Sequence, residues 1–151
     1  MLDDMDRRLL RLLQDDPGRV AQDLAEHANL SVPQVQRRLE KLRGSGVIRG
    51  TRAVIDWRAL GYEVQVSLRF NLDKTQRSAF DEFLAAAREV PEVIEIQTFL
   101  GKVDVRLNVI ARDMRHYQDI YRNRILRLPH IADIEALVLV ATVKAEEWLP
   151  I

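Results

Sequence analysis

From Leu2 to about Gly50 the apolar positions recur at helical spacing. In "DDMDRRLLRLLQDD" Met5, Leu9, Leu12 and Leu13 fall on one stripe, with Asp3 or Asp4 placed to cap its start. Pro17-Gly18 stops that helix. "VAQDLAEHA" predicts a second short helix with Val20, Leu24, Ala25 and Ala28 inward. Asn29-Leu30 reads as a tight turn, because asparagine tolerates a left-handed backbone. Ser31 caps a third helix, with Pro33 in its first turn where a missing N–H costs nothing, and Gly44 and Gly46 end it. Val35, Leu39 and Leu42 form its buried stripe, and at about 100° per residue Gln34, Arg37, Arg38 and Lys41 lie outward.

Beyond Gly50 the period changes. "RAVIDWRALGY" predicts a short strand and a linker ending at Gly61. "EVQVSLRFNL" alternates Val64, Val66, Leu68 and Phe70 with polar partners, as a half-buried strand does. "KTQRSAFDEFLAAAREV" is amphipathic through Phe80, Phe83, Leu84 and Ala87, and Pro91 closes it. "EVIEIQTFLG" and "DVRLNVIA" read as two strands around a tight loop at Gly101-Lys102-Val103. "DMRHYQDIYRNRILRL" is a helix capped by Asp113 with Tyr117, Ile120, Tyr121 and Ile125 inward, and "ADIEALVLVATVKA" a long final strand.

The order β-α-β-β-α-β predicts a ferredoxin-like sandwich with both helices on one face of an antiparallel sheet. The expected class is α+β, a winged helix-turn-helix domain over residues 1–50, a linker with a short strand over 51–61, and the sandwich over 62–151. The last strand is apolar on both sides, Leu137 and Leu139 on one and Val138 and Val140 on the other. Such strands are usually buried on both sides, which predicts sheet-to-sheet association and at least a homodimer.

Composition narrows the function classes. No run approaches the ~18 apolar residues a membrane span needs, and the acidic start "MLDDMDRR" is unlike a secretory leader, so no membrane partner and a cytoplasmic location are expected. With no cysteine there is no disulfide framework or thiolate metal site. No phosphate loop, nucleophile elbow or zinc motif appears, so no catalytic residue, metal or cofactor is assigned. The aspartates near the start suit helix caps better than catalysis. His27 is expected on the surface, and Trp57 and Trp148 to pack at the linker and the tail.

The zero net charge hides an uneven distribution. Residues 31–52 carry six basic side chains against Glu40 alone, a local +5, while residues 1–30 sum to −3 and the rest to −2. Charge alone leaves two readings open, a solvated helix face or an electrostatic footprint for nucleic acid. The chemistry of the third helix suits the second. Glutamine pairs bidentately with adenine, arginine with guanine, and Ser31 at the helix start suits a phosphate. Gln34, Gln36, Arg37 and Arg38 are therefore expected at base edges or phosphates, with Ser31, Lys41, Arg49 and Arg52 on the DNA backbone. Arg38 lies nearest the buried edge, where bracing the fold is the alternative. "GVIRGTRAVID" behind the helix is expected to form a hairpin-like wing.

Taken together, Leu2, Asp3, Asp6, Leu9 and Leu10, then Leu30, Ser31, Val35, Arg38 and Leu42, then Gly46, Val47, Ile48 and Gly50 resemble the N-terminal half of the feast/famine regulators, the Lrp/AsnC family. The β-α-β-β-α-β half resembles that family's effector-sensing domain in order and length. The resemblance implies a sequence-specific transcription regulator that binds a double-stranded DNA operator. It further implies dimers that assemble into octamers, and a small amino-acid-like effector bound between dimers. By resemblance that effector sits at Leu100, Gly101, Lys102, Val103 and Asp104, with Asp104 on its ammonium and the Gly101 backbone on its carboxylate, and near Ala136 on the last strand. Family members usually have Gly-Asp-x-Asp in the loop and Thr-x-Thr at the start of the last strand. Here Lys102 and Ile134-Glu135-Ala136 stand there. Either the ligand differs, with Lys102 reaching a second carboxylate, or the pocket is unused. The same two-domain plan also resembles the siroheme decarboxylases, the enzymatic alternative, but no histidine flanks Val105-Arg106-Leu107-Asn108.

Overall fold

The computed structural model describes residues 1–145 and 148–151. Two compact units result, Met1–Val54 with Lys144–Ile151, and Ile55–Val143.

In the first unit, three helices close on one small core. Helix α1 (Asp4–Asp15) starts in a capping box: Asp3 accepts the Asp6 N–H at 2.8 Å and Asp6 accepts the Asp3 N–H at 3.3 Å. Helix α2 (Ala21–Ala28) ends on Asn29, whose φ of 53° and ψ of 48° is the left-handed conformation the turn needs. Helix α3 (Val32–Gly44) is capped by Ser31 and carries proline in its first turn. Leu9, Leu24, Ala28, Val35 and Leu42 meet at the centre, all but wholly buried. Val20 is not among them. It precedes α2 as its N-cap, in extended backbone that turns it out to 66% exposure.

After α3, Gly46 takes φ 76° and its N–H returns to the Arg43 carbonyl, while the Ile48 N–H reaches the Leu42 carbonyl. This brings Ile48 against the helical core. The strand and hairpin-like wing expected over 46–61 do not form: residues 49–56 are irregular, with Val54 and Ile55 exposed. An extended segment needs a neighbour for its N–H and C=O groups, and no described residue pairs with this one.

The second unit is the expected sandwich. Strands β1 (Val64–Leu72), β2 (Val93–Thr98), β3 (Val105–Ala111) and β4 (Ile131–Val138) form one antiparallel sheet in the order β2-β3-β1-β4. Helix α4 (Ala79–Arg88) and helix α5 (Met114–Ile120), continued by a π-helical turn over Tyr121–Ile125, cover one face. Val66, Leu68 and Phe70 of β1 and Val105, Leu107 and Val109 of β3 face these helices, and Phe70 meets Phe83 at 5.0 Å between ring centres. Strand alternation sends Ser67, Arg69, Arg106 and Asn108 to the other face.

The last strand is shorter than its apolar run predicts, ending at Val138. Leu137, Val138 and Leu139 remain 37–52% exposed and Val140 is 96% exposed, so the two-sided burial expected of this strand is absent within one chain. Further on, Leu149 exchanges two hydrogen bonds with the Gln14 side chain of α1, which ties the tail to the first unit. Trp148 is 54% exposed rather than packed.

Candidate DNA interface and effector pocket

The buried stripe of α3 decides which of its side chains reach outward. With Val35, Leu39 and Leu42 inside, Gln34, Gln36, Arg37, Lys41 and Arg43 are exposed. Arg37, Lys41 and Arg43 form no ion pair among the described residues, which leaves exposed positive charge on α3, with Arg37 and Lys41 side by side opposite the buried stripe and Arg43 on the other flank. Arg49 and Arg52 add to it from the irregular segment that follows, and both are exposed. Arg43 is not among the residues expected at DNA; its place in the basic last turn is the signal that marks it.

Three residues expected at DNA are engaged within the fold. One Nη of Arg38 lies 2.7 Å from both Asp3 and Asp6, and Asp6 is wholly buried. The bonds to Asp3 and Asp6 push the Arg38 guanidinium further up, and the Asp3 carboxyl is held low by the Asp6 N–H and then by Arg38. Arg38 thus clamps α3 to α1 through one Nη. Gln34 and Ser31 are bound to one another: the Gln34 oxygen accepts the Ser31 N–H at 2.8 Å and its hydroxyl at 3.1 Å, while the Gln34 N–H donates to the Ser31 hydroxyl. The capping box occupies the oxygens assigned to DNA, leaving Gln36 as the glutamine with no such engagement.

In the second unit, the β2–β3 hairpin turns through Phe99–Asp104 and closes with the Phe99 N–H on the Asp104 carbonyl at 2.9 Å. A concavity of about 370 Å³ opens beside it, lined by Phe99, Leu100, Gly101, Lys102 and Val103 with Arg69 and Arg106 from the sheet. The loop residues expected at an effector are therefore together. Asp104 is not with them. It is 5% exposed, with one oxygen 2.8 Å from the Lys74 ammonium and the other accepting the Leu72 N–H at 2.9 Å. Burial alone would push its carboxyl up, but Lys74 and the Leu72 N–H outweigh that and hold it below the usual range. Asp104 anchors the loop, buried with both oxygens engaged and outside the concavity's lining. Ala136 is also outside the concavity: it pairs with Leu68 on the helix-covered face, whereas Arg69 and Arg106 are on the other.

The histidines hold local structure. His27 sits against the Asp23 carbonyl on α2, the His116 N–H is capped by Asp113, and His130 lies 2.6 Å from Glu82. Among the described residues no group of three potential ligands is placed to hold a metal ion, and no helix is long and apolar enough to cross a membrane.

Comparison with known proteins agrees with this division. Residues 2–49 match the model for winged helix-turn-helix DNA-binding domains, and residues 65–149 match the Lrp/AsnC ligand binding domain. The DNA-binding transcriptional activator DecR of Escherichia coli is 31% identical over 154 residues, covering 100% of this chain and 99% of its own. An AsnC family transcriptional regulator from Agrobacterium tumefaciens superimposes with a TM-score of 0.89 at 30% identity, over 99% of this chain and 97% of that one. A transcriptional regulator from Neisseria meningitidis, solved as a complex with L-Met, has the same fold, with a TM-score of 0.91 at 24% identity over 99% and 97% of the two chains. The chain belongs to the Lrp/AsnC family and is a DNA-binding transcriptional regulator with a ligand-binding domain.

Proposed function

We propose that α3 enters the major groove of a double-stranded operator, with Gln36 and Arg37 at base edges and Lys41, Arg43, Arg49 and Arg52 on phosphates. The observation that carries this reading is the pair of exposed cations, Arg37 and Lys41, opposite the buried Val35-Leu39-Leu42 stripe and without an ion-pair partner among the described residues. Arginine on a base edge supplies two parallel hydrogen bonds, and lysine on a phosphate a point charge. The protein acts as a homodimer on a pseudo-palindromic site, each recognition helix about one helical turn of DNA from its mate. The exposed Leu137, Val138, Leu139 and Val140 supply the apolar surface for that pairing, and further assembly into octamers builds on it. A small carboxylate-bearing effector, amino-acid-like in size, binds beside Leu100–Val103 and biases DNA affinity. The protein works by binding, in the cytoplasm, and not by catalysis.

Fluorescence anisotropy against the DNA upstream of its own gene, with unrelated DNA as control, tests the interface. Wild type should bind the upstream fragment in preference, with affinity falling steeply as salt rises, because phosphate contacts release counterions. Arg37→Ala should lose about 1–3 kcal/mol of that preference, whereas Lys41→Ala should weaken both DNAs alike. No binding by wild type even at low salt would overturn the assignment of α3.

A further inference from the structure

Four charged side chains form a row across the open face of the sheet. In strand order they are Glu95 on β2, Arg106 on β3, Arg69 on β1 and Glu135 on β4. Arg106 and Arg69 are directly opposite in the β1–β3 register. Like charges so placed repel one another. Each is balanced only from its outer side, Arg106 by Glu95 at 3.0 Å and Arg69 by Glu135 at 3.7 Å. Among the described residues no anion lies between the two cations, and the buried Nε of Arg106 has no partner. Lys102 reaches the same concavity from the hairpin loop, exposed and without an ion-pair partner among the described residues. Among the described residues the lining therefore holds three cations and no carboxylate, because Glu95 and Glu135 lie outside it and Asp104 is paired with Lys74.

A ligand whose recognition depends on an ammonium finds no counter-charge here. A ligand with two carboxylates does: one completes the row between Arg69 and Arg106, where planar guanidinium groups match carboxylate geometry, and the other meets Lys102. Phe99, Leu100 and Val103 offer apolar surface for a short hydrocarbon spacer, which a bare inorganic anion would leave unused. We propose that this pocket, taken as the effector site, selects a small dicarboxylate and requires no ammonium group on it.

Calorimetric titration of the full chain at fixed ionic strength tests this with glutarate, its monoamide glutaramate, L-methionine and inorganic phosphate as probes. Glutarate should bind at least ~10-fold more tightly than glutaramate, which has the same shape and one charge fewer, since a charge-assisted bond at such a site is worth that factor. Lys102→Ala, in an exposed loop position, should erase the preference without changing the melting temperature of the unliganded protein. L-methionine binding that is lost in Val103→Trp, with no glutarate response, would overturn the dicarboxylate assignment while upholding the pocket. Phosphate binding as tight as glutarate would overturn the dicarboxylate assignment too. No binding by any probe would overturn the pocket reading itself, leaving the DNA interface to its separate assay.

Discussion

Arg37 and Arg38 are adjacent in sequence, about 100° apart around the helix, and that angle gives them different work. Arg37 points away from the core, while Arg38 turns far enough to reach a buried carboxylate on α1. Removing Arg38 strands Asp6, which is wholly buried and among the described residues keeps only the Asp3 N–H. Arg38→Ala should therefore lower stability by about 2 kcal/mol, since a buried charged acceptor loses its strongest partner. Urea unfolding followed by circular dichroism measures it. Arg37→Ala should leave the same curve within about 0.5 kcal/mol, as surface changes do, and act on DNA alone. Equal stability losses in both variants would remove the distinction. The Arg38 alternative was legible in its position at the edge of the buried stripe. Its partners were not: Asp3 and Asp6 lie 35 and 32 residues away, and only the α1–α3 packing brings them there.

At the scale of elements, the turn between α2 and α3 depends on one backbone conformation. Asn29 occupies the left-handed region, where a β-carbon crowds the backbone and branched side chains fit worst. Asn29→Gly should be tolerated within a few tenths of a kcal/mol, while Asn29→Val should cost about 1–2 kcal/mol of the left-handed penalty. Chemical denaturation of the two variants, with DNA binding at a temperature where both are folded, separates turn strain from lost contact. An Asn29→Val variant as stable as wild type would refute the role given to this turn. Elements of this kind are written locally, which is why helix starts at Asp3, Ser31 and Asp113 and the strand alternation of β1 could be read from residue order. The pattern Ser31-x-x-Gln34 also spelled a capping box, a signal outweighed by glutamine's fitness for adenine. Burial of a whole strand was less legible. The apolar run after Ile134 marks a surface that wants cover, but one chain does not supply it, and strand β4 ends at Val138 near where its partner β1 begins. The Lys74–Asp104 pair, which decides what the pocket lacks, joins residues 30 apart and depends on β1 and β3 being neighbours.

Over the whole molecule, ionisation sets the pH range of stability. Carboxyls in both units titrate below their ordinary values: Asp3 through the Asp6 N–H and Arg38, Asp73 through the Thr75 N–H and hydroxyl, Glu82 through His130 and Ser78, and Asp104 through Lys74 and the Leu72 N–H against its burial. A depressed acid binds fewer protons folded than unfolded. Its contribution is complete above the unfolded value, 3.8 for aspartate and 4.5 for glutamate, and is lost as pH falls through the folded one. Tyr117 works at the other end. Burial, and secondarily Tyr121, raises its phenol above the ordinary 10.0, so its neutral form is favoured in the fold and stability drops as pH climbs past that point. Its hydroxyl is buried without a partner among the described residues, so the ring carries the packing and the oxygen only a desolvation cost. Tyr117→Phe should match or exceed wild type by up to about 1 kcal/mol at pH 7 and flatten the alkaline limb of the stability curve. The acid limb should stay where it was, because none of its four carboxyls has Tyr117 among the groups that shift it. Urea midpoints from pH 3 to 11 for the two proteins decide the matter. An alkaline limb unchanged by the substitution would assign the high-pH loss to another group, and a variant less stable at neutrality would show that the hydroxyl is satisfied.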